Sequence, residues 1–319
     1  MRTGLVLGAG GVVGQAYHAG VLAALEQDLG WDPRTADIVV GSSAGSVTGT
    51  LLRLGVPASD LASYAVASPL SPGGASILDQ LVVSGPFPPP DVWGLLRPWR
   101  WPTPALLARI ARRPWAFRPD VAAMTLLPAG RVDLTDRAGR LTELVGDAWP
   151  EGLWICAVRR DDGGRIVFGR RGSPPATLAG AVAASCAIPG YFAPVTIGGL
   201  EYVDGGVHSP TNAATLKDLD LDLVIVVSPM SAVRGQATGP GRLMRRSAHR
   251  RLDAEIRALR AGGTSVVRFE PGPPSLRAMG LNAMAEDRAD RVVQEAFLEA
   301  GSYAATNKIR GRLSALTAR

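Results

Sequence analysis

Ile38-Val39-Val40-Gly41-Ser42-Ser43-Ala44-Gly45-Ser46-Val47 decides how this chain is read. Three consecutive β-branched residues predict a buried strand, the small residues from Gly41 to Gly45 a tight turn, and Ser46 to Leu54 a helix closed by Gly55 and Pro57. The turn is a G-x-S-x-G element lying between a strand and a helix. In that setting the chain reverses sharply enough to lift the Ser43 hydroxyl beyond the sheet. Small residues at Gly41 and Gly45 let helix and strand pack closely, and the helix N-terminus favours developing negative charge. With 38 glycines in 319 residues such a match can arise by composition, so the flanking elements carry the reading more than the pattern does.

Working outward towards the N-terminus, the same grammar repeats. Gly4 to Gly8 predicts a short buried strand, a glycine-rich turn follows, and Ala16 to Gln27 has helical spacing ending near Gly30. Two successive strand–helix units imply a parallel sheet. Further strands are predicted at Leu153–Val158, Arg165–Gly169, Val195–Ile197, Glu201–Val203, Asp222–Ser228 and Thr264–Phe269. Helices are predicted at Ala176–Ala187 and Arg242–Ala261, and an amphipathic helix over Glu286–Leu316 closes the core. Residues 69–150 read as an insertion, loop-rich between Pro69 and Pro128, in a single domain spanning 1–319. An insertion of that kind beside an α/β core suits a lid, a cap or a binding segment.

The first turn, Gly8-Ala9-Gly10-Gly11-Val12-Val13-Gly14, admits two readings. Its backbone N–H groups suit a dinucleotide phosphate or an oxyanion. A dinucleotide site would end the second strand in an acidic ribose-binding residue, and this strand ends instead in Gly41 and the serine turn. The oxyanion reading accounts for both turns.

A nucleophilic serine needs a base, and the chain has three histidines, His18, His208 and His249. His18 falls inside the first helix, where packing is the ordinary role. Asp-Gly-Gly occurs at Asp162 and at Asp204. Asp162 sits between two strand-like runs, as in an ordinary Asp-Gly hairpin turn. Asp204 follows Tyr202-Val203 and leads into Val207-His208-Ser209-Pro210-Thr211-Asn212 with no immediate return strand, which makes it the better base.

These residues together resemble the bacterial patatin-like phospholipase family. The likeness rests on Leu7 to Leu22 with His18-Ala19-Gly20-Val21-Leu22, on Gly41 to Gly45, on Ala184-Ser185-Cys186-Ala187-Ile188-Pro189-Gly190-Tyr191-Phe192, and on Asp204-Gly205-Gly206, in family order. It covers most of the core, and only loosely residues 69–150 and the C-terminal third. The resemblance implies a three-layer α/β/α fold with a mainly parallel sheet. It also implies a Ser43–Asp204 dyad, an oxyanion hole from the N–H groups of Gly10 and Gly11, and hydrolysis of phospholipid or related acyl esters without metal or cofactor. Gly14, Gly41, Gly45, Gly205 and Gly206 are its supporting glycines. The family loop usually has three glycines, a variable residue and then Arg or Lys; here Ala9 and Val13 stand at the first and last of these positions.

Composition bounds the rest. At 46% hydrophobic and 19% charged residues the chain suits a folded domain. Two cysteines, Cys156 and Cys186, without a His cluster suggest neither a disulfide scaffold nor a zinc site, and fit a reducing compartment. The N-terminus reads as a strand rather than a leader, and no apolar run is long enough to span a bilayer, so a cytoplasmic protein, peripheral on membranes at most, is expected. The net charge of +6 is concentrated locally: Arg97, Arg100, Arg109, Arg112, Arg113 and Arg118 fall in a stretch free of Asp and Glu. They interleave with Trp93, Leu95, Leu96, Trp99, Trp101, Leu106, Leu107 and Ile110, so residues 93–118 suit either an anionic membrane surface or a helix packed on the core. No nucleic-acid motif accompanies the charge. Two other functions stay open: a Ser43–His249–Asp204 hydrolase, and a weakly active or non-catalytic lipid- or nucleotide-binding relative on the same scaffold.

Overall fold

In the computed structural model, residues 1–81, 87–88, 91, 94, 97–233, 235–236 and 239–317 are described. Trp93, Leu95 and Leu96 lie outside them. The first unit is β1 (Thr3–Leu7) and α1 (Gly11–Leu29), the second β2 (Ile38–Ser42) and α2 (Ala44–Arg53). α1 begins inside the glycine stretch, so Gly11, Val12 and Val13 form its first turn rather than a loop. Helices α3 (Ala58–Ala65), α4 (Pro72–Leu81), α5 (Pro104–Arg112), α6 (Pro119–Leu126) and α7 (Thr135–Val145) follow. Within the predicted loop-rich insertion the described residues include four helices, α4 to α7, separated by irregular stretches, and three of them start on a proline, the residue whose fixed φ suits a first helical position.

Strands β3 (Leu153–Arg159) and β4 (Gly164–Phe168) form the hairpin whose turn holds Asp162, and the Asp162 carboxylate accepts the Gly164 N–H at 2.8 Å. Then come α8 (Leu178–Cys186), β5 (Val195–Ile197), β6 (Leu200–Asp204), β7 (Leu223–Val227), α9 (Arg242–Ala261), β8 (Ser265–Phe269), α10 (Pro273–Met279), α11 (Ala289–Ala304) and α12 (Asn307–Thr317). The single helix expected over Glu286–Leu316 is thus broken between Ala304 and Asn307. Thr306 causes the break: its N–H and hydroxyl both bond the Tyr303 carbonyl, and its own carbonyl receives the N–H groups of Ile309 and Arg310.

The sheet runs β5-β6-β3-β2-β1-β7-β8, with β4 also on β3. β1, β2, β3, β7 and β8 are parallel, as near-continuous apolar strands flanked by helices should be. Leu5, Leu7, Val39, Ile155 and Ala157 turn to the face covered by α1, α2, α8 and α11, whereas Val6, Val40, Cys156 and Val226 turn to the face covered by α9. These are the three layers. The chain steps left from β1 to β2 and later returns on the other side with β7, so the crevice between the carboxyl ends of β1 and β7 is a topological switch point, where open α/β sheets bind ligands.

One pairing positions the site. β4 occupies one edge of β3 along residues 155–159, so β2 and β6 share the other edge. β2 ends with Ser42 opposite Cys156, and β6 begins its pairing with Asp204 opposite the next residue, Ala157. Asp204 therefore follows directly where β2 stops.

Candidate active site

Ser43 is the non-helical residue between β2 and α2, with φ 52° and ψ −121°. That conformation is strained for a residue with a Cβ, and it is held from several sides. The Ser43 N–H donates to Ser185 Oγ at 2.9 Å, and Ser185 Oγ donates in turn to the Cys156 carbonyl at 2.7 Å. Beneath the turn, Asn212 Nδ2 donates to Ser42 Oγ at 2.9 Å, to the Gly205 carbonyl at 3.1 Å and to the Ser209 carbonyl at 2.8 Å. Gly45 passes so close to β1 that any Cβ there would overlap the Leu7 carbonyl. Ser185 lies in a stretch that the sequence already singled out, but neither its role nor that of Asn212 was legible there, because both act through backbone groups far away in the chain.

Asp204 is buried, and its Oδ1 accepts the Gly206 N–H at 2.6 Å. Burial pushes its carboxyl up to about 6, and the hydrogen bonds from the Ser43 side chain and the Gly206 backbone pull the other way. Ser43 and Asp204 are thus brought together. Gly206 packs on Ala9, and Gly14 lies beside Ala44, so the three glycine motifs meet at one point.

The glycine loop is fixed from the same crevice. Ala9 N–H donates to the Pro210 carbonyl at 2.7 Å and Gly8 N–H to the Val227 carbonyl at 2.9 Å, while Pro229 packs on Gly10. Val13, where a basic residue would be usual, is buried, and its N–H donates to the Ala283 carbonyl at 3.2 Å. Gly11 has φ +62°, and a Cβ on it would stand 2.5 Å from that same carbonyl. Among the described residues no acceptor meets the N–H groups of Gly10 and Gly11, which leaves them free for a ligand.

Among the described residues no histidine bonds Ser43 or Asp204, although His18 meets the Gly8 backbone and His208 the Asn212 side chain. His18 is buried in α1 with Nδ1 3.2 Å from Thr48 Oγ1, and burial lowers its pKa to about 3, so it is neutral. His208 is likewise lowered to about 3, by burial and by the nearby arginines Arg165, Arg118 and Arg251. His249 has Nδ1 2.8 Å from Glu270 and Nε2 3.3 Å from Asp253, so both ring nitrogens face carboxylates on the α9–β8 side of the sheet. Cys186, the nearest thiol, is pushed up to about 12 by burial and stays protonated.

Ser43 opens into a cavity of about 920 Å³. Its wall takes Gly11 and Val12 from α1, Val47 and Leu51 from α2, Leu61 from α3, Leu78 from α4, Leu141 from α7, Val182 from α8 and Met284 from the stretch before α11. Two described lining residues carry full charges, Arg137 and Glu286, and the rest are mostly apolar, with neutral polar groups from Gln15, Thr48, Thr50, Tyr64 and Ser68. α4 and α7, the two ends of the insertion, are walls of this cavity, and none of the described residues in 97–118 is. α5 instead sits on the β3–β4 turn, where Thr103 Oγ1 donates to the Asp161 carbonyl and Arg109 pairs with Asp162 at 3.2 Å. Among the described residues no helix is long and apolar enough to cross a membrane.

A family model described as Patatin-like phospholipase matches residues 5–217, which contain every residue of the proposed dyad and loop. No curated protein matches the chain. The crystal structure of VipD from Legionella pneumophila is similar over 94% of this chain and 66% of its own, at 13% identity and a TM-score of 0.43, so the chain spans 66% of that protein's length.

Proposed function

Because this chain belongs to the patatin-like phospholipase family, we propose that it is a serine acyl-hydrolase of lipid esters working through Ser43 and Asp204. The coarser statement, a hydrolase acting on lipid esters, follows from the family itself. The dyad is supported above all by the β3 edge, where β6 takes over from β2 and sets Asp204 beside the serine turn. Ser43 Oγ attacks the ester carbonyl as its proton passes to the Asp204 carboxylate, and the oxyanion accepts hydrogen bonds from Gly10 and Gly11. Collapse expels the alcohol, which takes the proton from Asp204. Water then attacks the acyl-enzyme, again giving a proton to Asp204, and as the acid leaves Ser43 Oγ takes that proton back.

A mostly apolar, electrically balanced cavity suits an acyl chain better than a polar head group. A lipid substrate also places the work at a membrane surface, and Trp101 (89% exposed), Trp115 (82%) and the arginines around them are one candidate contact with it. A His249-based triad gains no support, because both His249 nitrogens are engaged elsewhere. Intact-mass analysis after treatment with a fluorophosphonate tests the nucleophile. One adduct on the wild type and none on Ser43→Ala is expected. An unlabelled wild type, under conditions that label a control hydrolase, would favour a non-catalytic lipid- or nucleotide-binding protein.

A further inference from the structure

A second basic stretch stands nearer the site than the one apparent in the sequence. Between Asp222 and Asp253 there is no acidic residue, while Arg242, Arg245, Arg246, Arg250 and Arg251 open α9. Arg245 and Arg251 are used inside the fold: Arg245 donates to the Pro229 carbonyl at 2.8 Å and Arg251 to the His208 carbonyl at 2.9 Å. Arg242, Arg246 and Arg250 are exposed and form no ion pair among the described residues. Beside them Leu243 is 73% exposed, Met244 59% and Leu281 75%, and Leu281 lies against Gly241 at the head of α9.

Scattered exposed apolar residues are ordinary, but this group is neither scattered nor remote. Arg245 ties the α9 head to Pro229, which packs on Gly10. Two residues after Leu281, the Ala283 carbonyl holds the Val13 N–H, and Met284 already lines the cavity. The apolar trio and its free arginines therefore form the rim beside the glycine loop. We propose that this rim, the head of α9 with Leu281, is where the protein docks on an anionic phospholipid bilayer: Leu243, Met244 and Leu281 enter the acyl boundary and Arg242, Arg246 and Arg250 meet lipid phosphates. Charge complementarity selects the partner, since the patch offers cations and aliphatic chains with no acid among them. The inference rests on the lipid-hydrolase reading for its purpose, but its test does not depend on turnover.

Co-sedimentation with vesicles of phosphatidylcholine, alone or mixed with phosphatidylglycerol, reads the docking directly. Wild type and Ser43→Ala should bind the mixed vesicles equally and the neutral ones more weakly. Leu243→Ser/Met244→Ser/Leu281→Ser, and separately Arg242→Gln/Arg246→Gln/Arg250→Gln, should each weaken binding to mixed vesicles by about tenfold or more with the melting temperature unchanged. Undiminished binding by both triple variants, with loss in Trp101→Ala/Trp115→Ala, would overturn the proposal in favour of the α5 segment. Equal binding to neutral and anionic vesicles would also overturn it, as would a wild-type dimer that the apolar triple variant dissociates, since a second copy would then own the patch. Docking without a fluorophosphonate adduct would uphold the surface and sink the reaction, so the two failures are distinguishable.

Discussion

Ser43 is held in a backbone region that costs a non-glycine residue on the order of 1–3 kcal/mol, and next to it Asp204 is buried with its carboxyl pushed up to about 6. Both costs serve one end. A carboxylate whose pKa stands near the working pH accepts a proton from serine more readily than one near 4, so kcat/KM should climb with pH through about 6, where Asp204 loses its proton. The same shift fixes a stability effect. A carboxyl whose folded pKa lies above its unfolded value stabilises the fold fully below the unfolded pKa, and that contribution is lost as the pH rises through about 6. Asp204→Asn should therefore lack activity and yet melt later than the wild type at pH 8, by up to about 3 kcal/mol, with the gap closing at pH 4. Calorimetry at the two pH values checks it; a variant less stable than the wild type at pH 8 would contradict the buried-charge account. At this scale the sequence marked the residues of the proposed dyad and not their supports. Ser43 and Asp204 carry a pattern of small neighbours around a reactive side chain. Ser185 and Asn212 act on carbonyls and N–H groups that any residue has, so nothing local marks them.

Elements were more legible than their ends. Each predicted strand exists within one or two residues, and for β1, β2, β3, β7 and β8 the reason is that buried parallel strands have few substitutes for Val, Ile and Leu. The break at Thr306 was invisible to apolar spacing, since a threonine that bonds back to Tyr303 leaves the periodicity intact. The helical insertion was hidden by its prolines, which look like breakers and serve here as first-turn residues. Of the struts that hold the serine turn, Ser185 is the one that bridges α8, the turn and β3. Ser185→Ala strands a buried N–H and weakens a buried carbonyl, at a cost of about 1–3 kcal/mol for the unmet group. Urea melts should show that loss together with a drop in kcat, because the freed turn relaxes the Ser43 strain. A variant with lower stability but full kcat would mean that α8 merely packs against the turn.

For the molecule as a whole, the cavity and the distribution of charge matter most. Leu51 lies two helical turns beyond Ser43 on the cavity side of α2, roughly 10–12 Å along the axis. Leu51→Trp should leave short-chain esters nearly untouched and shorten the longest good substrate, with kcat/KM falling about fourfold for each methylene that no longer fits. An acyl-length series of p-nitrophenyl esters reads this, and a uniform fall across all lengths would place the chain elsewhere. The total charge of +6 says little by itself; the fold separates an arginine set on α5 from another on α9, and only the latter adjoins the glycine loop.

The handover on the β3 edge has one more consequence, in the order of synthesis. Ser43 emerges with the second strand, but the edge beyond β2 is empty until β6 arrives, and the carbonyl that holds Val13 comes later still, at Ala283. On the proposed mechanism, a ribosome-bound chain carries a nucleophile without its base for more than half of its length. On that mechanism the chain cannot attack the membranes around it while it is being made, and gains the means to do so only after Asp204 has joined the sheet.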